Sequence, residues 1–171
     1  AKKPPRALAF DPVAGRLLVA REEGTVRLHD LQGGAAVAAT TLHEGSLRHA
    51  VLSPDGAWVA AAGKTSGVSL WYPASGAVTT LQAQPGVVRD LDFRPGHPGQ
   101  FASAGASGRL LLHDTASTAV LGDFSFGFAP TAHGAWSPDG RRFAVVGRTG
   151  ELSVVSIADG GTVLPTLGHD L

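Results

Sequence analysis

Apolar residues along this chain fall in short runs, each closed by glycine, proline or a polar cluster. The pattern is clearest in Arg48-His49-Ala50-Val51-Leu52, which ends at Ser53-Pro54-Asp55-Gly56 and is followed by Trp58 to Ala62. After a break come Val68-Ser69-Leu70-Trp71, the cluster Pro73-Ala74-Ser75-Gly76 and a last run, Ala77 to Leu81. Proline presets φ and glycine accepts positive φ without steric cost, so the clusters predict tight turns and the runs between them predict strands. No run sustains a 3.6-residue apolar period, although Ala-rich stretches fit a helix as well; their phase within the series assigns them to strands. The same series is expected at Ala7 to Phe10, Leu17 to Ala20, Thr25 to Leu28 and Ala36 to Leu42, then around Phe93, Phe101 and Leu111, and finally around Trp136, Phe143 and Val154.

These series keep a common period. Pro12, Pro54, Pro95 and Pro138 are spaced by 42, 41 and 43 residues, and the pairs His29-Asp30, Trp71-Tyr72, His113-Asp114 and Val155-Ser156 by 42 each time. Four repeats of about 42 residues, each predicted as four strands, define an all-β architecture. A single small sheet cannot bury both its faces, so neighbouring sheets must stack, as the blades of a β-propeller do. The expected organisation is a tail over residues 1–5 and blades over 6–46, 47–86, 87–130 and 131–171, the last ending at the start of a fifth repeat.

Composition narrows the functional classes. With 43% hydrophobic and 16% charged residues the chain carries enough apolar material for a core, and with 6% aromatics that core must lean on Val, Leu and Ala. Fourteen basic residues balance fourteen acidic ones, which removes the broad electrostatic reason to expect nucleic acid or an acidic membrane surface as partner. Lys2, Lys3 and Arg6, and the pair Arg141-Arg142, are read as a solvated tail and a hairpin tip and not as a nucleic-acid arm, since no aromatic stacking platform flanks them. There is no cysteine, which excludes disulfides, thiolate metal sites and a Cys nucleophile. No apolar stretch approaches the roughly 20 residues of a membrane helix and no signal peptide is apparent, so a cytoplasmic setting is the default expectation.

The repeats resemble the tryptophan-aspartate (WD) repeat β-propellers. Ser-Pro-Asp-Gly stands complete at residues 53–56 and 137–140, with Asp11-Pro12 and Arg94-Pro95 as degenerate copies. The family's Gly-His dipeptide is matched by Gly168-His169, and His43 lies 126 residues earlier, eleven before Pro54. The resemblance implies a buried network of a His, a Ser or Thr, a turn Asp and the Trp. Here Trp71 alone fills the Trp slot; His29, His113 and Val155 replace it, and Glu23, Thr65, Ser107 and Thr149 replace the turn Asp. Asp30 and Asp114 keep the Asp of the dipeptide. His43, Trp71, Asp30, Asp114 and His169 are therefore assigned structural duty, with the blades expected to rest mainly on apolar packing. Such propellers usually contain six to eight blades. The chain is expected to be either a fragment of a longer protein or a half-propeller that pairs with another copy into an eight-bladed ring, with open blade edges prone to self-association.

Arg6, Arg48 and Arg89 each stand six residues before the turn proline, and Ala132 takes that position in the fourth repeat. In a propeller this places three guanidinium groups on a common arc near the rim of the central channel, where they are suited to gripping carboxylates or phosphates of a partner. The alternative is that each pairs with a nearby acid such as Asp90 or Asp92, or is solvated. Seven histidines form no local ligand pair, so no metal and no cofactor is expected. Neither a Gly-x-Ser-x-Gly elbow nor a phosphate loop is present, so catalysis is not expected. The reading is a non-catalytic scaffold for other proteins, in assemblies such as cytoskeletal or ciliary ones. The alternative is an accessory or regulatory propeller of a multidomain enzyme or sensor, similar to the peptidase-associated and Tol-type propellers.

Overall fold

The computed structural model describes residues 4–11, 13–43, 46–64, 67–82, 85–127, 131–159, 161–164 and 167–168. Lys2, Lys3, Pro12, Thr65 and His169, which the sequence singles out, lie outside the described residues. The described chain is all-β. Its antiparallel sheets are built in sequence order: β1 (Pro5–Asp11), β2 (Arg16–Arg21), β3 (Thr25–Asp30) and β4 (Ala36–Thr41) form the first. The second holds β5 (Leu47–Leu52), β6 (Val59–Gly63), β7 (Gly67–Tyr72) and β8 (Ala77–Gln82). The third holds β9 (Val88–Phe93), β10 (Gln100–Gly105), β11 (Arg109–Asp114) and β12 (Val120–Ser125). The fourth holds β13 (Thr131–Trp136), β14 (Arg142–Gly147), β15 (Glu151–Ser156) and two short pieces, β16 (Thr162–Val163) and β17 (Leu167–Gly168), both paired with β15. Gly168 is thus part of the outer edge of the fourth sheet. Among the described residues no helix is long and apolar enough to cross a membrane. The Ala-rich stretches are strands: Val59–Gly63 is buried along its length, where small side chains let the neighbouring sheet approach closely.

The register reproduces the sequence period. Across the first sheet Phe10 pairs with Leu17, Leu17 with His29 and His29 with Ala36. The matching rungs are Leu52, Val59, Trp71 and Val78 in the second sheet and Phe93, Phe101, His113 and Val120 in the third. In the fourth they are Trp136, Phe143, Val155 and Val163.

The sheets divide between two compact units, Ala1–Gln82 and Ala83–Leu171. In the first, Leu18, Ala20, Val26 and Leu28 of the first sheet pack with Val59, Trp71 and Leu52 of the second. In the second, Ala102, Ala104 and Leu110 of the third sheet pack with Phe143, Val155 and Trp136 of the fourth. In both units one face of the leading sheet covers the rung face of the following one, which is how small sheets too thin to have a core of their own become stable.

A second device joins the sheets inside each unit. At Ser53 and Ser137 the hydroxyl donates to the carboxylate of Asp55 or Asp139 at 2.5 Å and accepts the N–H of Trp58 or Arg142 at 2.9 and 3.0 Å. Gly56 and Gly140 close these turns at φ 69° and 67°. Each glycine carbonyl accepts a guanidinium from the preceding sheet, Arg16 Nη2 at 3.0 Å and Arg94 Nε at 2.7 Å. A Cβ on Gly56 would stand 2.5 Å from the Asp11 carboxylate, and one on Gly140 would stand 2.3 Å from the Pro95 carbonyl, so both turns need glycine for room as well as for φ.

Candidate functional site

In the first strand of each sheet the pairing skips one residue. The register shifts between Pro5 and Ala7, between Leu47 and His49, between Val88 and Asp90, and between Thr131 and His133. The residues left over are Arg6, Arg48, Arg89 and Ala132, the set that the spacing to the turn proline selects. A β-bulge opposes two residues to one and re-aims the extra side chain. The repeated arginines therefore occupy the one position of each first strand that is released from the ladder.

Two of these arginines share a cleft. Arg6 and Arg48 line a hollow of about 370 Å³ in the first unit, together with Glu22, Ser46, His49 and Lys64. Arg6 donates from Nε and Nη2 to Oε2 of Glu22, at 3.2 and 2.7 Å. Glu22 also fixes the cleft floor through its backbone, because its carbonyl accepts the Leu47 N–H at 3.0 Å. Arg48 and Lys64 are exposed and have no carboxylate partner among the described residues. Among the described residues three cations thus face one carboxylate, which gives the cleft a positive surplus suited to a carboxylate or phosphate.

Arg89 belongs to the second unit. It is half-buried, and its Nε is buried without a hydrogen-bond partner among the described residues. Neither neighbouring acid is bonded to it. Asp90 accepts the Gly134 N–H at 2.6 Å and its own neighbour's N–H, from Leu91, at 3.0 Å. Burial pushes Asp92 up to about 6, against the Trp136 backbone N–H, which favours the ionised form, and with help from the Asp90 charge.

The residues assigned structural duty occupy defined seats. Asp30 accepts the N–H groups of Gln32 and Gly33, and Asp114 accepts the N–H and the hydroxyl of Ser117, so each carboxylate closes the turn that leaves its sheet's third strand. The Ser117 bonds hold the Asp114 carboxyl below its usual value. His43 follows β4 against Gly24 and Gly63, where an added Cβ would strike its carbonyl or its ring. Trp71 is buried in the core of the first unit, and its Nε1 has no partner among the described residues.

His113, in the same slot as Trp71, keeps part of a buried network. Its Nε2 lies 2.9 Å from Ser103 Oγ, and its ring stacks on Phe101 at 4.7 Å. Burial lowers its pKa to about 4 and keeps the imidazole neutral. Ser69 rearranges the network differently, donating to the Leu42 carbonyl at 2.6 Å.

Lys64 and Glu22, which the sequence reading passes over, are separated by 42 residues and so hold one repeat position with opposite charge. That phase is the signal that points to them. Among the described residues no three His, Asp or Glu side chains gather where they could hold a metal. Compared with models of known protein families and with curated proteins, the sequence gives no match.

Proposed function

We propose that the chain is a set of WD-like propeller blades acting as a non-catalytic platform for other proteins, with the Arg6–Arg48 cleft gripping an acidic segment of the partner. The observation that carries this reading is the bulge repeated in all four first strands, which presents Arg6, Arg48 and Arg89 at one structural position on a rigid ladder. Rigid sheets that hold adaptable side chains at their rims suit recognition, and a surplus of cations selects an acidic counterpart. Arg48 and Lys64 supply charge that no carboxylate among the described residues pairs, while Glu22 holds the Arg6 fork in place for a second contact. A cytoplasmic setting belongs to the same proposal.

The test starts from a partner identified by crosslinking in the source cells and reconstituted with the purified chain. Replacing Arg6, Arg48 and Arg89 together by Ala is expected to weaken binding at least about tenfold, which corresponds to about 1.4 kcal/mol, with the melting temperature little changed. Undiminished binding by the triple variant would remove the cleft from the proposal. A partner that proves to be a catalytic domain whose activity the chain alters would replace the scaffold role by a regulatory one.

A further inference from the structure

The sheet packing inside each unit leaves one rung face uncovered among the described residues. The rung faces of the second and fourth sheets are covered by the sheet before them. The rung face of the first sheet is open among the described residues: Leu8 is 63% and Phe10 71% exposed, and a hollow of about 340 Å³ lies between Leu17, Val19 and Leu31. The covering face repeats as well. Leu18, Ala20, Val26 and Leu28, which cover the second sheet, recur 126 residues later as Ala144, Val146, Leu152 and Val154. These four are half-buried, and Ala144, Val146 and Leu152 line an apolar groove of about 210 Å³ beside Ala135.

We propose that the chain associates head to tail with a second copy, the fourth sheet of one copy covering the open rung face of the first sheet of the next.

The contact would reproduce a packing that the molecule already makes within both units. It also gives Arg27 a role. Arg27 lies on the open face, exposed and with no carboxylate partner among the described residues, where the second sheet has Ser69. The Ser69 hydroxyl donates to the carbonyl of Leu42 in the covering sheet. The residue 126 positions after Leu42 is Gly168, in the outer strand β17 of the fourth sheet. Arg27 is placed to donate to that carbonyl of the neighbouring copy, so its charge is hydrogen-bonded when the face is covered. Because the two surfaces differ, the contact is heterologous, and the copies either close into a ring or continue as a filament.

This inference rests on the observed packing and not on the scaffold role, and its test needs no partner protein. Light scattering of the purified chain over about a hundredfold concentration range should show the mass rising from 17.4 kDa to twice that value or more. Phe10→Glu and Ala135→Glu alter exposed positions on the two opposed faces, and circular dichroism checks that both variants keep their strand content. Each alone is expected to stay at the monomer mass. Mixed, they should form a dimer, because one variant retains the intact first-sheet face and the other the intact fourth-sheet groove. A wild-type chain that stays monomeric throughout overturns the proposal. So does self-association of either variant at the wild-type level, since that would place the contact on a single face.

Discussion

In the first unit the guanidinium that reaches the neighbouring turn belongs to Arg16 and is neutralised on the spot. Asp11, its side chain fully buried, takes Arg16 Nε at 2.7 Å and accepts the N–H groups of Val13 and Ala14 with its other oxygen. In the second unit the same task falls to Arg94, which has no carboxylate partner among the described residues. It donates to Gln100 Oε1 at 2.8 Å and lies 5.5 Å from the centroid of the Trp136 ring, while burial lowers its pKa. Both guanidiniums end on a glycine carbonyl of a Ser-Pro-Asp-Gly turn. One joint balances the buried cation with an anion and the other with an amide and a π face. The difference sets what each loses on mutation: removing the cation from the first strands a buried charge, whereas the second loses only neutral partners.

The largest separation between the joints is expected from truncation. Arg16→Ala leaves the Asp11 carboxylate buried without its counter-ion and should cost about 3 kcal/mol. Arg94→Ala should cost about 1–2 kcal/mol, for hydrogen bonds and a ring contact. Urea unfolding of both variants measures this. Equal losses would mean that Asp11 recovers solvation when Arg16 is gone.

A smaller effect is expected from pH, and it sharpens the contrast. Burial tends to raise the Asp11 carboxyl, but the N–H of Ala14 and the Arg16 guanidinium outweigh it and hold the pKa below 3.8. Its contribution is present above that value and is lost only as pH falls through the folded pKa. The second unit holds two groups of opposite sign. Asp92, at about 6, favours the protonated form in the fold, so its contribution is lost as pH rises from about 4 through 6. His113, at about 4, favours the neutral form, so its contribution is lost as pH falls from 6.5 toward 4. The two slopes oppose each other over one window. Asp92→Asn should expose a stability that rises with pH there, by up to about 1.4 kcal/mol per unit, and His113→Phe the reverse. Denaturation midpoints measured from pH 4 to 7 decide the matter, and identical profiles for wild type and both variants would refute it.

The smallest effect belongs to the exposed pair in the cleft. Arg6→Ala removes a fork to Glu22 but leaves no buried charge, and should change stability by less than about 1 kcal/mol. Thermal melts read this directly, and a larger loss would make Arg6 a third joint residue.

Much of this was legible in the chain. The phase of His29, Trp71, His113 and Val155 gave the four sheets, because a ladder needs the same residue positions to face each other in each repeat. The two joints were hidden by the same regularity. Asp11 and Arg94 replace the serine of the turn motif and read as decay of the pattern, whereas in the fold they are joint residues. The signal was the alternation of degenerate and complete turns along the chain. The candidate arginines were visible by spacing, but the bulge that frees them was not. One extra residue disturbs the two-residue alternation of a strand only locally, within the uncertainty of any strand boundary. Lys64 and Glu22 escaped notice because opposite charges at one repeat position look like unrelated surface residues.

The skipped residue in each first strand separates two kinds of information that share one chain. Pairing and core packing are written in the residues on the ladder, while Arg6, Arg48, Arg89 and Ala132 stand outside it, and the arginine-to-alanine change in the fourth sheet leaves its register intact. Those four positions form a margin that can be rewritten without re-solving the fold: a new set of side chains there would alter the charge and shape the surface presents while the sheets beneath keep the same partners.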